Sequence, residues 1–279
     1  MKKITRRSFL AAAGLTAAAL ALTACGGSSS STASSTASSA AASSEAASSS
    51  AAAELTTVEA GKLTMATNAT FPPYEMTTDT GAFEGIDVDT AQAIAEKLGL
   101  ELQIDDMEFD AALLSVQQGK ADIVMAGVTV TDERKVVMDF SDSYATGIQS
   151  IIVPEGSDIA TPDDLAGKKI GTQRGTTGYI YCSDDFGDEN VVAYDSGLTA
   201  VQALNNGQVD AVVIDNAPAQ EYVAANPGLV VLDTSYAEED YAIGMAKGSA
   251  LEDAINAALE ELKADGTLQS IVDKYITAE

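Results

Sequence analysis

The stretches LLSVQQGKADIVMA (113–126) and VQALNNGQVDAVVI (201–214) read alike. In each, a helical period runs to a glycine, Gly119 or Gly207. One residue later comes Ala121-Asp122 or Val209-Asp210, and then a short apolar run. Glycine suits the left-handed position that closes a helix, and a short apolar run bounded by turn signals reads as a buried strand. The two aspartates read as turn or strand-entry residues. A second pair of stretches supports the first. GKLT (61–64) leads through a strand to Asn68-Ala69-Thr70, and GKKI (167–170) leads through a strand to Gly175-Thr176-Thr177. Together the two parallels predict two lobes of similar architecture.

The intervening sequence fits that plan. Residues 63–66 read as a strand, and 100–104 as the next. Between them Val88, Ala91, Ile94, Ala95 and Leu98 share one helical face, which ends at Gly99. Thr161-Pro162-Asp163-Asp164 is a helix start, with a cap, a proline at the first position and acids in the first turn. Alternating strands and helices imply α/β layers with parallel pairing. In such sheets ligands sit beyond the carboxyl ends of the strands. Here those ends are residues 67–70, 126–129, 173–177 and 215–216, which two facing lobes would bring into one cleft.

Composition narrows the function classes. The chain has 279 residues, 46% of them apolar, enough for two ordinary domains or one large one. It has no histidine, which removes His-based triads, general bases and metal ligands. Its two cysteines, Cys25 and Cys182, are too few for a disulfide scaffold or a Cys₄ zinc site. The formal net charge of −27 argues against a nucleic-acid partner.

The N-terminus reads as an address. Lys2, Lys3, Arg6 and Arg7 precede an apolar run over 10–22, too short for the ~20 residues of a membrane span. Residues 1–24 are therefore taken as a signal peptide. TRRSFL (5–10) resembles the twin-arginine export motif, and LTAC (22–25) resembles a lipobox, in which Cys25 is lipidated and becomes the mature N-terminus. That mature chain loses four cations and no acid, so its charge is −31. The stretch 25–59 holds a run rich in Ser, Ala, Gly and Thr, with the composition of a flexible tether. Its r.m.s. reach, at ~5–6 Å × √n, is roughly 30 Å. The expected location is extracytoplasmic, anchored by lipid to the cell membrane. Cys182 reads as a small buried apolar residue.

The strand ends carry a set of side chains suited to one ligand chemistry. The planar fork of Arg134 can grip a carboxylate with two parallel hydrogen bonds. Thr129 and Thr176 offer hydroxyls, and Gly127 and Gly175 beside them expose main-chain N–H groups. Asp215, at the matching strand end of the other lobe, can accept from an ammonium. Phe71, and Phe109 in a loop, can wall a pocket. Taken singly, Arg134 reads equally well as a solvated charge, Asp215 as a turn residue, and the two phenylalanines as core. Taken together they supply what a buried amino-acid zwitterion needs, since burying either of its charges unpaired is prohibitive.

Five stretches carry a family resemblance: MATNATFPPYE (65–75), GIDVDTAQAIAEKLG (85–99), MEFDAALLSVQQGKADIVMAGVTVTDERKVVMDFSDSY (107–144), DLAGKKIGTQRGTTG (164–178) and ADGTLQSIVDKY (264–275). From about residue 60 onward the chain resembles the polar amino-acid substrate-binding proteins of ABC transporters (extracellular solute-binding protein family 3), in a lipoprotein form. The resemblance implies a type II periplasmic-binding-protein fold, an α/β architecture of two Rossmann-like lobes joined by two hinge crossovers. Lobe 1 would comprise 60–146 and 243–279, lobe 2 would comprise 147–242, and the hinge would lie near 144–148 and 241–244. By the same resemblance Arg134, helped by Thr129 and Thr176, takes the α-carboxylate. Asp215, helped by the main chain at Ala126 and Gly127, takes the α-amino group, and Phe71 and Phe109 sandwich the side chain.

Asn68 and Gln173 stand where some members of the family carry charged residues. Two amides there favour a neutral polar ligand such as glutamine or cystine, with arginine still open. A charged side chain would have to use Glu75 or Asp110. The expected partners are this amino acid and a membrane ABC permease, for a monomeric, non-enzymatic protein without cofactor or metal. An amino-acid sensor, or a dehydratase-type enzyme on the same fold, is the alternative.

Overall fold

The computed structural model describes residues 55–276. The expected signal peptide, the lipidation site at Cys25 and nearly all of the tether lie outside them. Among the described residues no helix is long and apolar enough to cross a membrane.

Two sheets organise the body, and their strand orders correspond. In the first, Glu101–Asp106, Lys62–Thr67, Ile123–Val124, Gly244–Ala246 and Met138–Phe140 lie side by side. In the second the order is Val191–Tyr194, Ile170–Gln173, Ala211–Asp215, Ala145–Pro154 and Leu229–Val231. Each sheet opens with three parallel strands and then turns antiparallel. The expectation of parallel pairing thus holds for only part of each sheet. Most of the antiparallel strands lie in or next to the segments that pass between the sheets, so strand–helix alternation gives no sign of them.

The repeated sequence units fold as repeated structure. Helices Phe109–Gln117 and Gly197–Asn205 run out just before Gly119 (φ 65) and Gly207 (φ 66), each followed by a buried strand. The aspartates after those glycines are ties between strands. Asp122 accepts the N–H groups of Val58 and Thr64, both at 2.7 Å, and Asp210 accepts that of Lys169 at 2.8 Å. The helix Ile86–Leu98 ends at Gly99 in the left-handed conformation and buries Val88, Ala91, Ile94 and Ala95 against the first sheet. The Thr161 start is a capping box, but it opens only one 3₁₀ turn, Pro162–Leu165.

The chain passes between the sheets twice, and the two passages are bound to each other. Ala145–Pro154 leaves the first sheet, Ala237–Tyr241 returns, and they pair antiparallel with Ala145 opposite Tyr241 and Gln149 opposite Ala237. The Tyr144 N–H donates to the Tyr241 carbonyl, and the Ser141 N–H to that of Ile243. Tyr241 is fully buried at the centre of this ribbon. Gly147 leaves the space its ring occupies, since a Cβ there would lie 2.5 Å from the ring and the hydroxyl. Gly147→Ala should therefore cost about 1–3 kcal/mol, as overpacking does. Thermal unfolding should show a drop in Tm of several degrees. An unchanged Tm would mean that the ring yields freely.

Candidate ligand cleft between the two sheets

Strand ends and helix starts from both sheets converge on one cavity of about 320 Å³, measured to its open mouth. Its lining includes all ten residues expected to bind ligand: Asn68, Phe71, Phe109, Ala126, Gly127, Thr129, Arg134, Gln173, Thr176 and Asp215. Glu75 and Thr177 line it as well. The size sits at the small end for small-molecule sites.

Arg134 lies on the short helix Asp132–Val137, whose N-cap Thr131 accepts the Arg134 N–H at 3.1 Å. Its side chain turns inward and is buried. Nη1 donates to the Thr129 carbonyl at 2.7 Å, and Nη2 reaches across the cleft to the Gly175 carbonyl at 3.1 Å. The guanidinium sits over the Phe109 ring, 5.4 Å from its centre. Among the described residues no carboxylate forms an ion pair with Arg134. Burial lowers its pKa, opposed mainly by the field of Glu239. Two carbonyls use two of the five guanidinium N–H donors, and the others are left for a carboxylate.

Beside it opens the N-terminus of helix Thr177–Phe186, capped by Thr176. Such a terminus, with its unpaired N–H groups, favours an anion. Phe109, expected in a loop, is the first residue of helix Phe109–Gln117. The run Phe109 to Val116 carries the helical period to that point, and the aromatic side chain is buried at the helix start.

Asp215 ends the strand Ala211–Asp215 in the second sheet and is buried. Its carboxylate accepts the Tyr241 hydroxyl on one oxygen and Gln149 Nε2, at 2.9 Å, on the other. Gln149 Nε2 also donates to Glu239 at 3.0 Å, and the Thr129 hydroxyl donates to the same Glu239 oxygen at 3.0 Å. Burial, reinforced by Glu239, pushes the Asp215 pKa up to about 7. The group therefore lacks a cation, and an ammonium would supply one.

Several residues that shape the site were not expected from the sequence. Asp87 is buried in the first turn of helix Ile86–Leu98. It accepts the Gly127 N–H at 2.9 Å and the Tyr144 hydroxyl at 2.7 Å, fixing the loop that carries Ala126 and Gly127 to the start of the crossing ribbon. Burial raises its pKa to about 6. Gly127 itself has φ +55, and a Cβ there would lie 2.9 Å from the Phe71 ring, so glycine keeps that wall in place. Glu239 and Gln149 belong to the ribbon. The alternation Ala237, Glu239, Tyr241 on one face of a strand was the available signal for Glu239.

Asn68 and Gln173 do meet in the cleft, but largely satisfy each other. Gln173 Nε2 donates to Asn68 Oδ1 at 2.8 Å, and Asn68 Nδ2 donates to the Met107 carbonyl at 2.9 Å. The Tyr222 hydroxyl likewise reaches across to the Thr70 carbonyl. These contacts, with Arg134 on Gly175, bridge the two sides of the cleft. Cys182 is buried away from this chemistry in the second sheet's core, where burial raises its pKa to about 12. Among the described residues no cluster of three or more acidic or cysteine side chains is arranged to hold a metal.

The model of the bacterial extracellular solute-binding proteins, family 3, matches residues 63–278. The chain belongs to this family. The L-cystine-binding protein TcyJ of Escherichia coli is 34% identical over 226 residues, covering 79% of this chain and 85% of its own. The arginine-, lysine-, histidine-binding protein ArtJ of Geobacillus stearothermophilus superposes with a TM-score of 0.75 at 35% identity, covering 78% and 96%. An ancestral arginine-binding protein bound to glutamine superposes with a TM-score of 0.75 at 42% identity, covering 78% and 99%. The fold is the type II periplasmic-binding fold, with two lobes, two crossovers and the cleft between them. Its relatives are amino-acid-binding components of ABC transporters.

The raised pKa of Asp215 in the buried cleft has a measurable consequence for stability. The folded carboxyl holds its proton up to about pH 7, whereas its ordinary value is 3.8. Its contribution to stability is therefore complete below about pH 4 and is lost as the pH rises to about 7. Measured as Tm from pH 4 to 8, wild type relative to Asp215→Asn should fall through that window and then level off. A difference independent of pH would contradict the assignment.

Proposed function

We propose that the protein is a lipid-anchored extracytoplasmic substrate-binding protein of an ABC importer, which captures a polar L-amino acid by hinge closure and delivers it to the permease. The observation that carries this reading is the placement of Arg134 and Asp215 in one cavity, from opposite lobes, both buried and not paired with each other.

In this reading Arg134, with Thr129, Thr176 and the helix N-terminus behind it, holds the α-carboxylate. Asp215, with the carbonyls at Ala126 and Gly127, holds the α-ammonium. Phe71 and Phe109 enclose the side chain. Lobe 1 spans 60–146 and 243–279, lobe 2 spans 147–242, and the ribbon at 144–148 and 241–244 is the hinge. Ligand first meets one lobe, and contacts made only after closure shift the population to the closed form. The closed form is what the permease would recognise. The names of the relatives, cystine-, arginine- and histidine-binding proteins among them, support an α-amino acid as the cargo. Micromolar affinity requires about −8.2 kcal/mol, well within the ~1.5 kcal/mol per heavy atom open to a small ligand.

Arg134→Ala and Asp215→Ala should each weaken binding by about 2–5 kcal/mol in calorimetry, because each leaves one ligand charge buried and unpaired. Near-normal affinity in either variant would remove the assignment. For the anchor, Cys25→Ala should move the expressed protein from the detergent phase to the aqueous phase in a phase-partition assay. Continued partition into detergent would place the membrane attachment elsewhere.

A further inference from the structure

Main-chain contacts press the strand Glu75–Thr77 onto the start of helix Ile86–Leu98. The Asp87 N–H donates to the Tyr74 carbonyl at 2.9 Å, and the Ile86 N–H to the Pro73 carbonyl at 3.1 Å. Gly85, at φ +136, permits the approach, since a Cβ there would collide with the Tyr74 carbonyl. Two fully buried carboxyl groups, Glu75 and Asp87, are thereby brought together, and a hydrogen bond joins them. Ionised carboxylates are acceptors only, so that bond requires a proton on one of the two.

The surroundings decide which one carries it. Asp87 accepts the Gly127 N–H on Oδ2 and the Tyr144 hydroxyl on Oδ1, the arrangement that suits an ionised group. Apart from Asp87, neither Glu75 oxygen has a hydrogen-bond partner. The titratable groups that act on Glu75 are Tyr74 beside it, Asp87 on the helix, Asp106 at the end of strand Glu101–Asp106, Asp215 in the second sheet, Tyr144 at the ribbon and Tyr222 on helix Asn216–Ala225. All are acids or phenols. Arg134 lines the same cavity, but among the described residues no lysine or arginine pairs with Glu75 or Asp87. Burial pushes the Glu75 pKa well above the carboxylate range, and the charge of Asp87 pushes it further.

We propose that Glu75 stands at neutral pH as an uncharged carboxylic acid that donates its proton to Asp87, and that this bond positions the cleft. Asp87 in turn fixes the Gly127 loop on one oxygen and Tyr144, at the root of the crossing ribbon, on the other. Glu75 is then a positioning residue, acting on ligand through Asp87, and the stretch of cavity wall it forms is polar without being charged. With Glu75 ionised, two buried carboxylates would repel each other at the point where the loop and the ribbon are tied together.

The consequence for binding rests on the proposed amino-acid site, while the proton itself is read without ligand. Infrared difference spectra of wild type minus Glu75→Gln at neutral pH report it, because a protonated carboxyl has a carbonyl stretch well separated from the carboxylate bands. The variant should lack one protonated-carboxyl band, and loss of carboxylate bands alone would overturn the proposal. Positioning is read by hydrogen exchange at the Gly127 amide and by calorimetric titration with L-arginine, L-glutamine and L-cystine. Glutamine at position 75 keeps an N–H donor toward Asp87, so Glu75→Gln should stay within about threefold of wild type in both readouts. Glu75→Met has similar length and no donor, and should exchange Gly127 faster and bind more weakly, each by about tenfold. Equal effects in the two variants, whether both large or both absent, would overturn the positioning role. Wild type binding none of the three amino acids would count against the amino-acid site, and the infrared and exchange results would still decide the role of Glu75. If Glu75→Met does not fold, an altered Gly127 exchange in Glu75→Gln still overturns the proposal and a wild-type one still supports it.

Discussion

Charged groups buried without an opposite charge are costly, and the cleft between the two sheets buries Arg134 and Asp215 without pairing them. The protein provides each with partial compensation. Main-chain carbonyls and an aromatic face attend the guanidinium, while a tyrosine hydroxyl and an amide attend the carboxylate. Neither set supplies a countercharge. In the proposed reading, a ligand whose two ends answer both groups completes the cleft.

The crossing ribbon attends one of the two groups. It supplies Gln149, Glu239 and Tyr241 to the carboxylate end of the site, and it is also the only covalent link between the sheets among the described residues. Asp87 ties the start of the same ribbon to the loop that carries Ala126 and Gly127. In the proposed mechanism, the ligand contacts at Asp215 and the strand pair about which the lobes would rotate therefore share residues, so that local contacts could be converted into domain closure.

Much of this was legible in the sequence, and the reason is repetition. Two copies of a helix–glycine–aspartate–strand unit announce two similar sheets, and the strand-end residues of each copy fall where an open α/β sheet exposes its site. The parallel core of each sheet followed from those patterns. The antiparallel strands did not, because Ala145–Pro154 and Ala237–Tyr241 derive their positions from long-range pairing and carry no local signal of it. The same holds for side chains. Arg134 and Asp215 are conspicuous by type and position. Asp87 looks like an ordinary acid in a first helical turn, and Glu239 sits in the acidic run AEED (237–240), which reads as solvated. Asn68 and Gln173 were placed correctly beside the cavity but engage one another, a pairing between residues 105 positions apart that no local pattern reveals.

The central claim is that the site grips both ends of a zwitterion at once. It is tested most directly by thermal shift of the ligand-stripped protein with one amino acid that binds it, that amino acid's methyl ester and its deaminated acid. Ligand that binds only the folded state raises Tm according to its affinity. The account predicts a large shift with the intact amino acid and little with either analogue, since each leaves Arg134 or Asp215 unanswered. An ester or a deaminated acid that stabilises the protein as strongly as the amino acid would contradict it.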